Sequence, residues 1–145
     1  MHSGTTSTLA YAHPVVLVVD DTDLVREVVS AGLRLHGFEV WVAGDGREAL
    51  ELFNELSQWE HGRTVVLLDV QMPGLDGPMV LAALQTIDPD IWAFFMTGDA
   101  GGYSEDELLA RGARRVFSKP LDIARVAAEF RQCPRGSGRT PVGSA

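Results

Sequence analysis

The chain has 145 residues, 46% of them apolar and 22% charged, the size and make-up of one ordinary globular domain with its own core. A net charge of −8 argues against a nucleic-acid-binding face, and no apolar run reaches the roughly 18 residues of a membrane span. One cysteine, Cys133, excludes an internal disulfide, and the start MHSGTTSTLAYAHP lacks the basic and apolar regions of a secretory leader, so a reducing cytoplasm is expected.

Residues 1–13 are small and polar and read as a flexible lead-in. VVLVV (15–19) is a continuous apolar run, the mark of a strand covered on both faces. From Asp23 to His36, Leu24, Val25, Val28, Val29 and Leu33 recur at helical spacing, with Thr22 placed to cap the helix and Gly37 to end it. FEVWVA (38–43) is a second strand. The turn Gly44-Asp45-Gly46 opens a helix over 47–56. A longer link, Ser57 to Arg63, carries Trp59 as a candidate contact residue.

VVLL (65–68) is the third strand, and 78–87 the third helix, stopped at Asp88-Pro89. IWAFFM (91–96) is the fourth strand. Ser104 and Glu107 spell a capping box for a helix over 105–111 that Gly112 closes. RRVFS (114–118) is the fifth strand and LDIARVAAEF (121–130) the last helix. The remainder, 132–145, is rich in Gly, Ser and Pro and reads as a disordered tail, leaving 14–131 as the domain. Trp41, Trp92, Phe94 and Phe95 are expected in the core. His2, His13, His36 and His61 are scattered and expected to be exposed, and Cys133 inert.

Five strands alternating with five helices predict an α/β fold, a parallel sheet with helices on both faces. In such sheets the ligand site lies beyond the carboxyl ends of the strands. Those ends carry Asp20-Asp21, Asp69, Thr97 and Ser118-Lys119-Pro120. Three clustered carboxylates repel by about 4 kcal/mol per pair at 4 Å and an effective dielectric near 20. Either some are protonated or a cation lies among them. Oxygen ligands without a Cys/His cluster suit Mg²⁺ and not zinc. Beside Mg²⁺, an ionised aspartate is a competent nucleophile toward a phosphoryl group, with a lysine and a hydroxyl to bind its oxygens. No Gly-rich loop with a Lys-Ser/Thr end is present to cradle a nucleotide.

VLVVDDTD, LLDVQMPGLDG, MTGD and VFSKP, taken together and in this order, resemble the response regulator receiver domain of two-component signalling, over about residues 14–131. The resemblance implies a doubly wound, flavodoxin-like sheet in the order 2-1-3-4-5. It implies that Asp69 accepts a phosphoryl group from a histidine kinase or a histidine phosphotransfer protein. Asp21, Asp69 and the Gln71 backbone carbonyl would bind Mg²⁺, with Asp20 acting mainly through water. Lys119 would pair with phosphoryl oxygens, Thr97 would swing toward them, and the Lys119-Pro120 bond would be cis. The family often has an aromatic ring three residues before the lysine; here Val116 stands there with Phe117 beside it, so Phe117 is expected in the core. The loop from Thr97 to Gly102 has three glycines and reads as mobile, with Gly98 where the family often has alanine.

The expected molecule is a single-domain regulator, a monomer or weak dimer, that signals through its fourth helix, fifth strand and fifth helix. It would not act as an enzyme on external substrates, nor bind nucleic acid or membrane. A relay intermediate, a phosphate sink and a receiver fragment of a hybrid kinase use the same residues. A phosphatase of the haloacid dehalogenase type would need a second carboxylate two positions after its nucleophile, where this chain has Gln71. A flavodoxin-like flavin carrier would need a phosphate loop where Asp20-Asp21-Thr22 stands.

Overall fold

A computed structural model describes residues 13–58, 63–98 and 102–134. The lead-in through residue 12, Trp59, His61, residues 99–101 of the glycine loop and the tail from residue 135 lie outside the described residues.

Strands β1 (Val15–Val19), β2 (Glu39–Ala43), β3 (Thr64–Asp69), β4 (Trp92–Thr97) and β5 (Val116–Ser118) form one parallel sheet in the order β2-β1-β3-β4-β5. Helices α1 (Asp23–Leu35), α2 (Gly46–Leu56), α3 (Gly77–Ile87), α4 (Glu105–Ala110) and α5 (Ile123–Phe130) connect and follow them. This is the flavodoxin-like (βα)5 topology that the alternation and the resemblance predict.

The sheet divides two cores by the alternation of side chains along each strand. Leu17, Val19, Val66, Leu68, Ala93 and Phe95 face α2, α3 and α4, packing on Phe53, Leu56, Leu81, Leu84 and Leu108. Val16, Val18, Leu67, Phe94, Met96 and Phe117 face α1 and α5, packing on Val29, Leu33, Val126 and Phe130. β1 and β3 are buried along their whole length because both faces are covered. Phe117 is buried and stacks on Phe94, ring centroids 5.7 Å apart, so Val116 points to the opposite face, as the slip argument requires.

Several local expectations change. On α1 only Val29 and Leu33 are fully inward, while Leu24 and Val28 are 66% and 59% exposed. The five apolar positions span more of the helix circumference than one contact stripe covers. Thr22 stands at the N-cap, but its side chain makes no cap bond; its amide instead donates to Asp20 Oδ1 at 2.9 Å. Asp45, Asp76, Ser104 and Asp122 do cap their helices, Ser104 in a full capping box. Gly37 and Gly112 both adopt positive φ where the helices end.

β5 is three residues long, although the Arg114 amide and the Arg115 carbonyl still bond to β4. Phe94 and Phe95 are core, but Trp41 and Trp92 are only half-buried. Trp41 lies on the edge strand β2, where its Nε1 donates to Glu39 Oε2 at 2.8 Å, and Trp92 lies under the Arg114 guanidinium at 3.6 Å. His13 is half-buried against Phe38, centroids 5.0 Å apart, and not exposed. Residues 132–134 continue the packing instead of opening a loose tail: the Cys133 amide donates to the Phe130 carbonyl, and its buried thiol is pushed up to about 11 by burial, against the opposing pull of Arg63 and Arg114.

Candidate functional site

The parallel register aligns the strand ends. Asp69 is opposite Met96, and Thr97 opposite Ser118, so the residues that finish β1, β3, β4 and β5 share one edge. Asp20 follows β1 directly and is fully buried. Its Oδ1 accepts from the Thr22 amide and its Oδ2 accepts from Lys119 Nζ at 2.7 Å. The same ammonium donates to Asp69 Oδ1 at 3.2 Å. Asp21 is exposed beside them, and one carboxylate oxygen from each of Asp20, Asp21 and Asp69 lies within 4.8 Å of the others.

Asp69 is 5% exposed, and its carboxyl is pushed up to about 6. Burial is the largest cause, the Asp20 charge adds to it, and Lys119 opposes it. At neutral pH the group is therefore mainly a carboxylate, but one held under electrostatic load. Burial works against the Lys119 charge, yet the hydrogen bond to Asp20 and the Asp69 and Asp20 carboxylates outweigh it and hold the ammonium above the ordinary lysine range. Lys119 thus supplies the counter-charge that the buried carboxylates require.

Thr97 Oγ1 is buried and has no hydrogen-bond partner among the described residues. An orphaned buried hydroxyl is costly and marks a site organised for a further polar group. Gln71 is exposed in the turn after β3, and Met72 behind it is buried. Lys119-Pro120 is cis. The site thus unites Asp20, Asp21, Asp69, Thr97 and Lys119. Its hard oxygen donors fit Mg²⁺, and the orphan hydroxyl and the ammonium fit an anion next to it.

Three contributors escape the sequence reading. Arg26 Nη1 donates to the Asp20 carbonyl at 2.6 Å, and Nη2 pairs with Asp23. A cation in the first turns of a helix, where the dipole disfavours it, was a usable signal. Gly77 opens α3 so close to β3 that a Cβ there would stand 2.4 Å from the Asp69 carbonyl oxygen. Asp76, the α3 cap, accepts from Tyr103 Oη at 2.9 Å, and nothing in the sequence pairs these two.

The response regulator receiver domain family matches residues 16–131. Transcriptional regulatory protein PrrA of Mycobacterium tuberculosis is 35% identical over 144 residues, which is 99% of this chain and 57% of that protein. Sensor kinase CckA of Brucella abortus is 34% identical over 118 residues, 81% of this chain and 12% of the kinase. Among solved structures, the chemotaxis protein CheY4 of Vibrio cholerae superposes with a TM-score of 0.69 at 28% identity, over 81% of this chain and 95% of that one. The chain therefore spans little more than half the length of PrrA and a small part of CckA.

Proposed function

The chain belongs to the response regulator receiver domain family, and from that premise we propose that Asp69 accepts a phosphoryl group from the phosphohistidine of a histidine kinase or phosphotransfer protein and holds it as a signal. The observation that carries the reading is the single ammonium of Lys119 bridging Asp20 and Asp69 at a strand edge that also presents the partnerless Thr97 hydroxyl.

In the transfer, an Asp69 carboxylate oxygen attacks phosphorus, and the phosphorus–nitrogen bond to the donor imidazole breaks with its electron pair staying on nitrogen. The product is an acyl phosphate on Asp69. Lys119 turns from the carboxylates to a phosphoryl oxygen, and Thr97 Oγ1 donates to another. Asp21, Asp69 and the Gln71 carbonyl, with Asp20 acting through water, would hold Mg²⁺, which when bound offsets negative charge on the phosphoryl oxygens. Gln71 offers no carboxylate to activate water, which favours a group that is held over one that is turned over, and external phosphate esters are not substrates.

The donor has an approach. Leu24 and Val28 on α1, with Pro120, Leu121 and Ile123, line an apolar concavity of about 390 Å³ that reaches Lys119. A helix of the donor laid on α1 would bring its histidine beside Asp69. Among the described residues no helix is long and apolar enough to cross a membrane, and we assign the exchange to the cytoplasm where such donors present their histidine. Output runs through α4, β5 and α5 to a protein partner, the chain acting as a monomer or weak dimer. The match to a sensor kinase keeps a second reading, in which the same residues relay or drain phosphate inside a hybrid kinase system.

The test is phosphotransfer. Incubated with Mg²⁺ and acetyl phosphate, or with a phosphorylated kinase, the protein should gain one phosphoryl group by intact mass, and Asp69→Asn should not. No gain in the parent protein would overturn the reading.

A further inference from the structure

Of the three carboxylates at the strand edge, Asp21 is the one whose direction no side-chain contact sets. Asp20 is held by the Thr22 amide and by Lys119, and Asp69 by Lys119. The Asp21 carboxylate is exposed and, among the described residues, accepts no hydrogen bond and forms no ion pair, although one of its oxygens lies within 4.8 Å of those of Asp20 and Asp69. Its aim is therefore set by the backbone that carries it, and first by the peptide plane between Asp20 and Asp21.

The carbonyl of that plane accepts from Arg26 Nη1 at 2.6 Å. The plane before it is tied to β2, where the Asp20 amide donates to the Ala43 carbonyl at 3.2 Å. Arg26 is itself well anchored. Its Nη2 pairs with Asp23 on the same helix, and its side chain is only 20% exposed. An added Cβ at Gly44 would stand 3.2 Å from Nη1, so the guanidinium occupies space that the turn after β2 leaves by having glycine there. A planar group with one arm on Asp23 and the other on the Asp20 carbonyl orients the peptide as a single ammonium cannot. Arg26 also stands near the N-terminus of α1, where the helix dipole disfavours a cation. The contact, and not the helix, accounts for its place.

We propose that Arg26 is a positioning residue for the divalent-cation site: by fixing the Asp20–Asp21 peptide it aims Asp21 toward Asp69, so that the carboxylates converge before the ion arrives. This role rests on the reading of the edge as a Mg²⁺-assisted phosphoacceptor site, and it belongs to a residue that touches neither the ion nor the phosphoryl group. The sign of the effect separates it from a charge effect. Arg26 is a cation near a cation site, and if charge alone mattered its removal would tighten Mg²⁺. If Arg26 aims Asp21, its removal weakens Mg²⁺ although the repulsion falls. Groups that orient metal ligands from behind are worth about 10–100-fold in affinity.

The test measures Mg²⁺ affinity of the full chain at pH 7.5 by displacement of Mn²⁺, the free Mn²⁺ being counted by electron paramagnetic resonance. Arg26→Met should raise the Mg²⁺ Kd at least about tenfold. Arg26→Lys, with the charge kept and the planar fork lost, should fall between that variant and the parent. Val29→Ala, on the same helix but buried in the core against α5, loses stability without touching the site, and its Kd should match the parent's. Unchanged or tighter Mg²⁺ binding in Arg26→Met, or equal weakening in Val29→Ala, would overturn the positioning role. Should Arg26→Met lose its cooperative thermal melt, Arg26→Lys decides alone: a raised Kd supports the role, and a Kd equal to the parent's overturns it. Phosphoryl uptake by the parent is followed by intact mass. Uptake with no effect of Arg26 on Mg²⁺ strikes the positioning role alone, no uptake in a parent that binds Mg²⁺ strikes the phosphoacceptor reading alone, and a parent that binds no Mg²⁺ strikes the metal site and the positioning role together.

Discussion

The Tyr103 hydroxyl donates to Asp76 Oδ2 at 2.9 Å and so ties the segment that enters α4 to the cap of α3, 27 residues earlier in the chain. Asp76 spends its other oxygen on the Met79 amide in the first turn of α3, and the Arg111 guanidinium lies 5.2 Å over the Tyr103 ring. The Asp76 hydrogen bond, together with its charge, raises the phenol above its ordinary range. The bond bridges the loop after Asp69 and the helix expected to report on it, with no aromatic residue at position 116.

Tyr103→Phe should therefore loosen α4 without disabling Asp69. The lost bond is worth about 1 kcal/mol, so amide exchange across 105–110 should accelerate about fivefold while phosphoryl uptake by intact mass is kept. Unchanged exchange would mean the tether does not hold α4.

Asp69 sets a pH dependence. Its folded carboxyl is pushed up to about 6 from the 3.8 of a solvated aspartate, so between these values the folded state binds the proton that the unfolded state has released. Stability from this group is thus full below about pH 4 and is lost as pH rises through 6. Asp69→Asn should stabilise the metal-free protein by roughly 2 kcal/mol at pH 7.5 and by little at pH 3.5, read from urea midpoints. Mg²⁺ should narrow the difference at pH 7.5, because a carboxylate ligand prefers the ionised form.

Two glycines at the site should behave in opposite ways. In Gly77→Ala the new methyl group meets the Asp69 carbonyl oxygen at 2.4 Å and the Val70 Cα at 3.0 Å, both backbone atoms that cannot step aside. A loss of about 2 kcal/mol or more and impaired phosphorylation are expected. In Gly98→Ala nothing among the described residues lies within 4 Å of the methyl group, and both thermal melt and phosphoryl uptake should match the parent.

Arg26→Met keeps the aliphatic stem and removes the donor to the Asp20 carbonyl. A destabilisation of about 1–3 kcal/mol should follow, and Arg26→Lys should recover only part of it, because the Asp23 and Asp20 contacts use two arms of one planar group. Equal stability of all three proteins in urea would rule out a structural role for the contact.

Much of this was legible in the chain because it rests on periodicity and on strand ends. The continuous runs VVLVV and VVLL announce buried parallel strands, and the polar residue after each run can only be at the sheet's edge. Asp20, Asp69, Thr97 and Lys119 were found that way. The misses are tertiary. Leu24 and Val28 share the spacing of Val25 and Val29, and only the position of α5 decides which stripe is covered. Trp92 is apolar enough for a core, yet it starts its strand at the sheet's end, where a guanidinium covers it in place of a helix. Tyr103 and Asp76 are joined across 27 residues by loop geometry, which no short-range pattern encodes.

The strand order has a mechanical corollary. β1 and β3 are each gripped from both sides, and they carry Asp20, Asp21 and Asp69. β5 hangs from β4 alone over three residues, and Lys119 follows it directly. The site is built like a vice with one fixed and one sliding jaw. The fixed jaw holds Asp69 and the neighbouring carboxylates in register, so that a charge arriving between the two would be answered by travel on one side only, toward the outer strand and the helices that flank it.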